Sequence, residues 1–267
     1  MTRLGLIAGG GDFPLLFARK AKTKNISLVC IALKEETSPA IEGLVDKIYW
    51  FSFGEVKKVV ETFKKENIKK AVMLGSVTKT RLFKERASAD ESANVILKTA
   101  KDKRDLTLFK AAAVFLRLNG ITLTSALICL RENLAQKGTL TRRGPTEKEW
   151  ADIRFGRKIA RRLAGLDIGQ TVVVKDKAVL AVEAIEGTDA AIKRGGLLGN
   201  GEVVVVKVAR PNQDMRFDIP VTGVHTIASL KEARASVLAL EKNKTLIINK
   251  EELIRLANEA GIAIVVV

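Results

Sequence analysis

Carboxylates cluster in two short segments of this 267-residue sequence. In the first, residues 183–189, the letters EAIEGTD place Glu186, Thr188 and Asp189 around a glycine, directly after an apolar run. Oxygen atoms of carboxylates and hydroxyls bind Mg²⁺ or position a water molecule for attack. A helix cap at Thr188 explains the same letters about equally well.

The second segment, residues 213–220, reads QDMRFDIP and places Asp214, Arg216 and Asp218 at alternate positions. An extended backbone projects alternate side chains to one side, so these three residues would share a face. A carboxylate beside an arginine suits phosphate chemistry, because the guanidinium holds phosphate oxygens. An ordinary surface ion pair is the commoner origin of such a pattern.

Two glycine turns follow apolar runs that predict strands. Gly9, Gly10 and Gly11 stand between a strand and a helix, where a phosphate or ribose can approach backbone N–H groups. The spacing departs from GxGxxG, since Pro14 takes the place of the third glycine, and a merely tight turn has similar weight. Residues 75–80 form a second such loop, at the edge where open α/β sheets bind ligands, or else a plain connector.

Histidine and cysteine are scarce, which excludes several kinds of site. His225 is the single histidine, so a multi-histidine metal site is excluded, and we favour a satisfied, partly buried histidine over a proton carrier. Cys30 and Cys129 lie in apolar runs without CxxC spacing, which excludes a zinc cluster and a disulfide framework. Any metal would therefore be held mainly by oxygen.

Alternating strands and helices must position these residues. Apolar runs at 4–8, 26–33 and 71–74 predict strands, and helical spacing follows 4–8 and precedes 71–74. The order βαβαβ implies a parallel sheet. Another helical face at 106–116 precedes an extended run at 121–124, and residues 138–145 resemble a connection between compact units.

The second half of the chain predicts a second α/β domain. Thr146 and Glu149 form a capping box that opens a helix, and Gly165 is its expected stop. A β-hairpin over 172–182 and a strand at 203–208 follow. Asn249 with Glu252 is expected to cap a last helix before a terminal strand at 262–267.

The composition indicates anionic partners. Subtracting 30 acidic from 46 basic residues gives +16, which favours nucleotides, nucleic acid or an acidic membrane face electrostatically. The arginine-rich helix at 154–162 is either a solvated face or a contact with such a surface. Aromatic residues make up only 5%, which weakens base stacking as a role. No apolar run approaches the roughly 18 residues of a membrane span, and residues 1–11 lack the pattern of a secretory signal, so we expect a cytoplasmic protein.

Five motifs together resemble the LpxI family of UDP-2,3-diacylglucosamine pyrophosphatases, over essentially the full chain. They are LGLIAGGGDFP from residue 4, GSV from 75, LDIGQTVVV from 166, AVEAIEGTD from 181 and QDMRFDIPVTG from 213. The resemblance implies Mg²⁺-dependent hydrolysis of UDP-2,3-diacylglucosamine in lipid A biosynthesis, which releases UMP and 2,3-diacylglucosamine 1-phosphate (lipid X). It also implies attack by water on the sugar-side phosphorus.

The resemblance assigns roles to particular residues. Asp218 matches the family's catalytic aspartate, and the metal ligands expected are Asp218, Glu186 and Asp189. The residues expected to bind substrate are Gly9, Gly10, Gly11, Gly75, Ser76, Val77, Thr188 and Arg216. One departure stands at Lys103, Arg104 and Asp105, where the family often has a glycine and two acidic residues, so one carboxylate remains where two are expected.

The fold expected from this resemblance is α/β, with a Rossmann-like parallel-sheet domain at 1–138 and a catalytic α/β domain at 144–267 that carries EGTD and QDMRFDIP. The substrate is expected between them. The predicted partners are the acylated nucleotide sugar, the anionic inner face of the inner membrane as a peripheral site, and a second copy in a homodimer, without nucleic acid. Two alternatives rank below the hydrolase: a nucleotide-binding oxidoreductase and a nucleic-acid-binding protein.

Overall fold

The computed structural model describes residues 2–77, 90–100, 105–211, 213–216 and 219–267, without the side chains of residues 105 and 106. The chain divides into two compact units, Met1–Arg131 with Asp214–Asp218, and Glu132–Gln213 with Ile219–Val267. The sequence analysis instead placed the first domain at 1–138 and the second at 144–267, and it assigned the QDMRFDIP segment to the second domain. The division differs because the strand Gly138–Thr139 pairs with the last strand of the second unit, and because residues from Asp214 pack with the first unit.

The first unit contains one parallel sheet with helices between its strands. Its elements are β1 (Thr2–Ala8), α1 (Phe13–Thr23), β2 (Ile26–Leu33), β3 (Lys47–Phe51), α2 (Val56–Lys65), β4 (Lys70–Leu74), α3 (Glu91–Thr99), α4 (Asp105–Leu118), β5 (Thr122–Leu123) and α5 (Leu127–Leu130). The strand order is β3-β2-β1-β4-β5, and all pairs are parallel. The predicted parallel sheet is therefore confirmed.

Burial explains why the sequence pattern predicted β2 but not β3. β2 coincides with the predicted run because its five central residues are all buried, as expected for an inner parallel strand. β3 was not predicted. It is an edge strand that begins with the exposed Lys47, and its remaining residues are only half-buried, so it lacks a continuous apolar core run.

A carboxylate network closes the amino-terminal edge of this sheet. Glu66, which follows α2, is 6% exposed and accepts hydrogen bonds from Arg3 at 2.6 Å, Lys47 at 2.9 Å and Tyr49 at 2.7 Å. The Tyr49 hydroxyl, followed by Lys47 and Arg3, lowers the pKa of Glu66 from 4.5 to about 2. The network therefore joins β1, β3 and α2 through one ionised carboxylate.

Acid should weaken the first unit through this network. A folded-state pKa below the unfolded value stabilises the fold above about pH 4.5, and this contribution is lost as the pH falls through about 2. We expect Glu66→Gln to lower the melting temperature by several degrees at neutral pH and to flatten its dependence between pH 4.5 and 2. Thermal melts followed by circular dichroism, with the exposed Glu61→Gln as control, test this. Parallel profiles for Glu66→Gln and the parent would contradict it.

The second unit contains a mixed sheet. Its elements are β6 (Gly138–Thr139), α6 (Glu147–Gly165), β7 (Thr171–Lys175), β8 (Ala178–Val182), α7 (Thr188–Gly199), β9 (Val204–Lys207), β10 (Val221–Thr222), α8 (Val224–Glu232), β11 (Val237–Leu240), β12 (Leu246–Ile247), α9 (Lys250–Glu259) and β13 (Ala263–Val266). The order is β6-β13-β11-β9-β7-β8, with β9, β11 and β13 parallel. The β7–β8 hairpin is confirmed, and β10 and β12 form a separate parallel pair.

The helix α6 begins and ends where the sequence predicted. The Thr146 hydroxyl accepts the Glu149 N–H at 3.3 Å, and the Glu149 carboxylate accepts the Thr146 N–H at 2.7 Å, so the capping box is confirmed. Buried Asp152 accepts the N–H groups of the hairpin turn at 3.0 and 2.7 Å, which fixes the helix to β7 and β8. Asn249 is the N-cap residue of α9, as predicted, but its side chain makes no capping hydrogen bond, so the capping interaction expected with Glu252 is wrong.

Among the described residues, the cysteines and the histidine belong to no group of side chains that could hold a metal ion. Cys30 and Cys129 are buried free thiols, and burial raises the pKa of Cys30 to about 12, so its nucleophilic thiolate is suppressed. His225 is exposed in the first turn of α8, which contradicts the expected partial burial. Of the helices in the described ranges, none has the length and apolar character needed to cross a membrane.

Candidate active site

The two predicted glycine loops meet at the carboxyl edge of the first sheet. The loop after β1 and the loop after β4 are neighbours, because these strands pair in parallel at the point where the strand order reverses. The N–H of Gly9 donates to Leu74 O at 2.8 Å, and Gly10 and Ser76 exchange two backbone hydrogen bonds, at 2.8 and 3.1 Å. Such a switch point is the usual place for a ligand in an open α/β sheet.

Close backbone packing explains two of these glycines. A Cβ on Gly9 would lie 2.5 Å from Ser76 O, and a Cβ on Gly75 would lie 2.7 Å from Gly10 O. Gly75 also has a φ of +94°, which favours glycine. The N–H groups of Gly9 and Gly10 therefore hold the loops together, and the tight-turn explanation accounts for them. Gly11 also has a positive φ, +86°, but it differs from these two glycines because a Cβ there would meet no atom within 4 Å.

The segment that begins at Asp214 contacts the next loop along the same edge. Ser125 follows β5, and its hydroxyl donates a short hydrogen bond to the carbonyl of Met215. Residues 215 and 216 form a turn, so the predicted extended arrangement of Asp214, Arg216 and Asp218 is wrong as far as Arg216. The turn arises because the Arg216 N–H donates to the Asp214 carboxylate at 3.1 Å. Asp218 itself lies outside the described residues.

Arg216 is oriented by its own carboxylate partner. Its Nε and Nη2 donate to the two oxygens of Asp214 at 2.9 and 2.7 Å, which is a bidentate pair. The Arg216 guanidinium lowers the pKa of Asp214, while partial burial opposes the shift. The arginine side chain remains 47% exposed and Asp214 only 18%, so the cation is held in place and still faces solvent. A phosphate oxygen is a suitable ligand for a cation fixed in this way.

Because this segment packs with the first unit, cutting the chain between 138 and 144 should separate parts of one site. We expect residues 1–138 and residues 144–267, expressed separately, to show no detectable hydrolysis of a pyrophosphate substrate. The piece 1–138 keeps Ser125 and both glycine loops but loses Arg216. Product analysis by mass spectrometry checks this, with the intact chain as the reference. An active 144–267 piece would show that the glycine loops are dispensable.

Thr188 belongs to a polar cluster of the second unit. Its hydroxyl donates to the Glu183 carboxylate at 2.8 Å and accepts from Lys207 Nζ at 3.2 Å. Glu183 follows β8 and Lys207 ends β9, so two strand ends position this hydroxyl. The alternative of a helix cap at Thr188 is wrong, because the cap position of α7 is Gly187, with a φ of +86°.

Glu186 and Asp189 do not form a metal site by themselves. The Glu186 carboxylate accepts from Arg194 Nη2 at 2.6 Å and from the Ala184 N–H at 3.2 Å. Backbone N–H groups of its own loop and then Arg194 lower the pKa of Glu186, and Asp189 is exposed in the first turn of α7. Within the described ranges, no three side chains of His, Cys, Asp or Glu are grouped to hold a metal.

Three residues of these clusters escaped the sequence analysis. Ser125 was detectable in principle, because it stands directly after a predicted strand at the sheet edge where ligands bind. Glu183 and Lys207 each stand at the end of a predicted strand, but their common partner Thr188 could be found only from the antiparallel pairing of β7 with both β8 and β9.

Comparison with known sequences assigns the chain to a family. The sequence model of the LpxI N-terminal domain matches residues 3–132, and that of the LpxI C-terminal domain matches residues 136–265. The chain belongs to the LpxI family. Among curated LpxI proteins, the UDP-2,3-diacylglucosamine pyrophosphatase LpxI of Caulobacter vibrioides is 28% identical over 273 residues, which cover 98% of this chain and 96% of that protein.

One solved structure gives only a distant similarity. The phosphoribosylglycinamide synthetase of Anaerococcus prevotii aligns with a TM-score of 0.27 and 13% identity, over 72% of this chain and 34% of that chain.

The LpxI motifs occupy defined places. The GGG and GSV motifs form the paired loops of the first unit, and EGTD forms the start of α7. The departure from the family pattern lies mostly outside the described residues: Lys103 and Arg104 are not described, and the backbone of Asp105 begins α4. The predicted LpxI site residues other than Asp218 thus lie on two surfaces, one on each unit.

Proposed function

We propose that this chain hydrolyses UDP-2,3-diacylglucosamine to UMP and 2,3-diacylglucosamine 1-phosphate, as a step in lipid A biosynthesis. The observation that carries the proposal is the edge of the first sheet, where the loops after β1 and β4 meet and the loop after β5 holds the Arg216 turn. Membership of the LpxI family supports the substrate, because the relative from Caulobacter vibrioides has this activity in its name.

The reaction needs an activated water and stabilised charge. The water oxygen forms a bond to one phosphorus, the bridging P–O bond breaks, and the bridging oxygen leaves with the other phosphate. Asp218 is proposed to orient the water, because an aspartate with an ordinary pKa of about 3.9 is an ionised acceptor at neutral pH. Arg216, fixed by Asp214, supplies positive charge for the non-bridging oxygens.

Gly11, Gly75, Ser76 and Val77 are proposed to border the bound nucleotide sugar, and Gly9 and Gly10 to hold the border in shape. The open space beside Gly11 lets a ligand approach the backbone closely. Thr188 is proposed to contact the substrate through its hydroxyl, which Glu183 and Lys207 hold in place.

Mg²⁺ remains part of the proposal, with Asp218, Glu186 and Asp189 as its ligands. Bound Mg²⁺ would neutralise charge that develops on the pyrophosphate. Because Glu186 is paired with Arg194, the proposal rests chiefly on Asp218 and on the charge of the substrate.

One assay tests the proposed reaction. The pure protein is incubated with UDP-2,3-diacylglucosamine and Mg²⁺ in ¹⁸O-labelled water, and the products are identified by mass spectrometry. We expect UMP and 2,3-diacylglucosamine 1-phosphate, with ¹⁸O in the lipid phosphate if water attacks the sugar-side phosphorus. Label in UMP would show that water attacks the other phosphorus, and an unchanged substrate would refute the proposed hydrolysis.

No specific observation in the described part of the chain favours either alternative function. An oxidoreductase that binds a dinucleotide at its first glycine turn needs backbone N–H groups for the pyrophosphate, but those of Gly9 and Gly10 are bonded to Leu74 and Ser76. A nucleic-acid-binding protein would rest on the charge of +16 alone, and a steep dependence of duplex binding on salt would reveal it.

We also propose a cytoplasmic protein that associates peripherally with the inner membrane as a homodimer. The charge of +16 supports attraction to an anionic leaflet, at roughly 1 kcal/mol for each well-placed basic residue. The edge strand β8 supports self-association, because Val179 on it is 40% exposed and unpaired edges invite pairing. Co-sedimentation with anionic vesicles and analytical ultracentrifugation test the two parts separately.

A further inference from the structure

A groove of about 520 Å³ lies on the second unit, beside α6 and the ends of β6 and β13. Trp150, Arg154 and Arg157 of α6 line it together with Lys137 and residues 265–267. None of these residues belongs to the proposed hydrolytic site. The groove is thus formed by residues outside that site.

The floor of the groove is apolar. Ile153 is 1% exposed and Val265 is 2% exposed, and both belong to the core between α6 and the sheet. Trp150 is half-buried and packs against the same core, so part of its indole ring is left at the groove. An aliphatic chain would find a hydrophobic floor and an aromatic wall here.

The rim of the groove carries positive charge that is poorly neutralised. In the part of the chain that the structure describes, Lys137 and Arg154 form no ion pair, and Arg157 reaches Glu241 only at 3.8 Å. Glu241 is bound more closely by Arg161, at 2.5 Å, and by the Ala209 N–H at 2.9 Å. The Nε of Arg157 is buried and has no hydrogen-bond partner among the described residues. The rim therefore offers positive charge to an anionic ligand.

The groove also lies where α/β folds bind ligands. The strands β9, β11 and β13 are parallel, and the groove is next to the carboxyl end of β13, while Glu241 directly follows β11. Ligands of open α/β sheets bind at the carboxyl ends of the parallel strands. The position of the groove, the positive charge of its rim and its apolar floor therefore all favour a ligand with an anionic end and an apolar end.

We infer that this groove binds an anionic amphiphile, a phosphate or carboxylate joined to a hydrocarbon chain. The guanidinium groups of Arg154 and Arg157 and the ammonium group of Lys137 receive the anion, and the chain lies along Trp150, Ile153 and Val265. The inference does not depend on the proposed hydrolysis, because it concerns binding at residues outside that site.

Indole fluorescence of Trp150 tests the inference directly. In the full-length Trp50→Phe protein, Trp150 is the remaining tryptophan. We expect a saturable change on titration with dodecyl phosphate below its micellar concentration, and at least tenfold weaker binding of inorganic phosphate and of the neutral dodecyl maltoside. Dodecanoate in a parallel titration tells whether phosphate or carboxylate is preferred. Equal binding of dodecyl maltoside would overturn the inference.

Variants on one helix separate a built site from general charge attraction. Arg154→Gln with Arg157→Gln is expected to weaken dodecyl phosphate binding at least tenfold, whereas Lys158→Gln with Arg162→Gln, which removes the same charge from exposed positions of α6, leaves it unchanged. Equal weakening by both pairs would overturn the inference. If the first pair impairs folding, the exposed Lys137→Gln serves in its place, and an unchanged affinity there would count against the site.

Discussion

Replacing Asp218 by alanine is expected to lower the rate of hydrolysis about 100-fold or more, while the protein keeps its fold and still binds substrate. The carboxylate is assigned by the LpxI motif, and two residues before it the Arg216 cation is held by Asp214. Under the proposed roles, the change removes the group that orients water, whereas Arg216 and the glycine loops remain to bind the pyrophosphate. Steady-state kcat and KM on UDP-2,3-diacylglucosamine provide the measurement.

Two variants control this experiment. Asp176→Ala removes an exposed aspartate that pairs with Lys148 at 2.7 Å on the β7–β8 hairpin, and it should leave kcat unchanged. Asp218→Asn keeps the size of the side chain but not its charge, and it should resemble the alanine variant. Turnover of Asp218→Ala near the parent rate would remove Asp218 from the mechanism.

Removal of divalent cations should abolish turnover, and added Mg²⁺ should restore it. The reason is the charge of the substrate, since two adjacent phosphates repel an attacking nucleophile unless cations neutralise them. Activity after EDTA treatment, followed by titration with Mg²⁺, provides the measurement. Full activity in metal-free buffer would leave the arginines, above all Arg216, as the source of positive charge.

The ligand set can be tested by the same titration. Asp189→Asn should raise the Mg²⁺ concentration at half-maximal activity if the EGTD loop supplies a ligand. Asp176→Asn, on the hairpin, is the matched control. Glu186→Gln also releases Arg194, so its effect should be read beside Arg194→Gln, which breaks the same ion pair without removing a carboxylate.

Strong local signals made much of the fold predictable. β2 was predictable because its buried residues form a continuous apolar run. The start of α6 was predictable because Thr146 and Glu149 have the capping-box spacing. The sequence did not predict β3, and it wrongly predicted that the Asn249 side chain caps the last helix. An edge strand has no continuous core run, and Asn249 adopts a left-handed φ of 50° without using its side chain as a cap.

The site was predictable in its positions and less so in its contacts. The glycine loops could be assigned to strand ends, but the approach of Gly9 to Ser76 joins residues far apart in the sequence, which no local pattern encodes. The Asp214–Arg216 turn was misjudged because alternation of residue types was taken to mean an extended chain. The Arg216 N–H instead donates to the Asp214 carboxylate and closes the backbone into a turn, and the same carboxylate holds the guanidinium.

The discontinuity of the first unit has a consequence for protein synthesis. The ribosome delivers the sheet of this unit early, yet the segment that hydrogen-bonds to Ser125 follows only after residues 132–213. At about 5–20 residues per second, that stretch takes about 4–16 s to translate. During this interval the nascent chain can fold its first sheet without Arg216. If Asp218 and Arg216 have the proposed roles, a chain that stops within this stretch lacks both residues, and we expect it to be inactive.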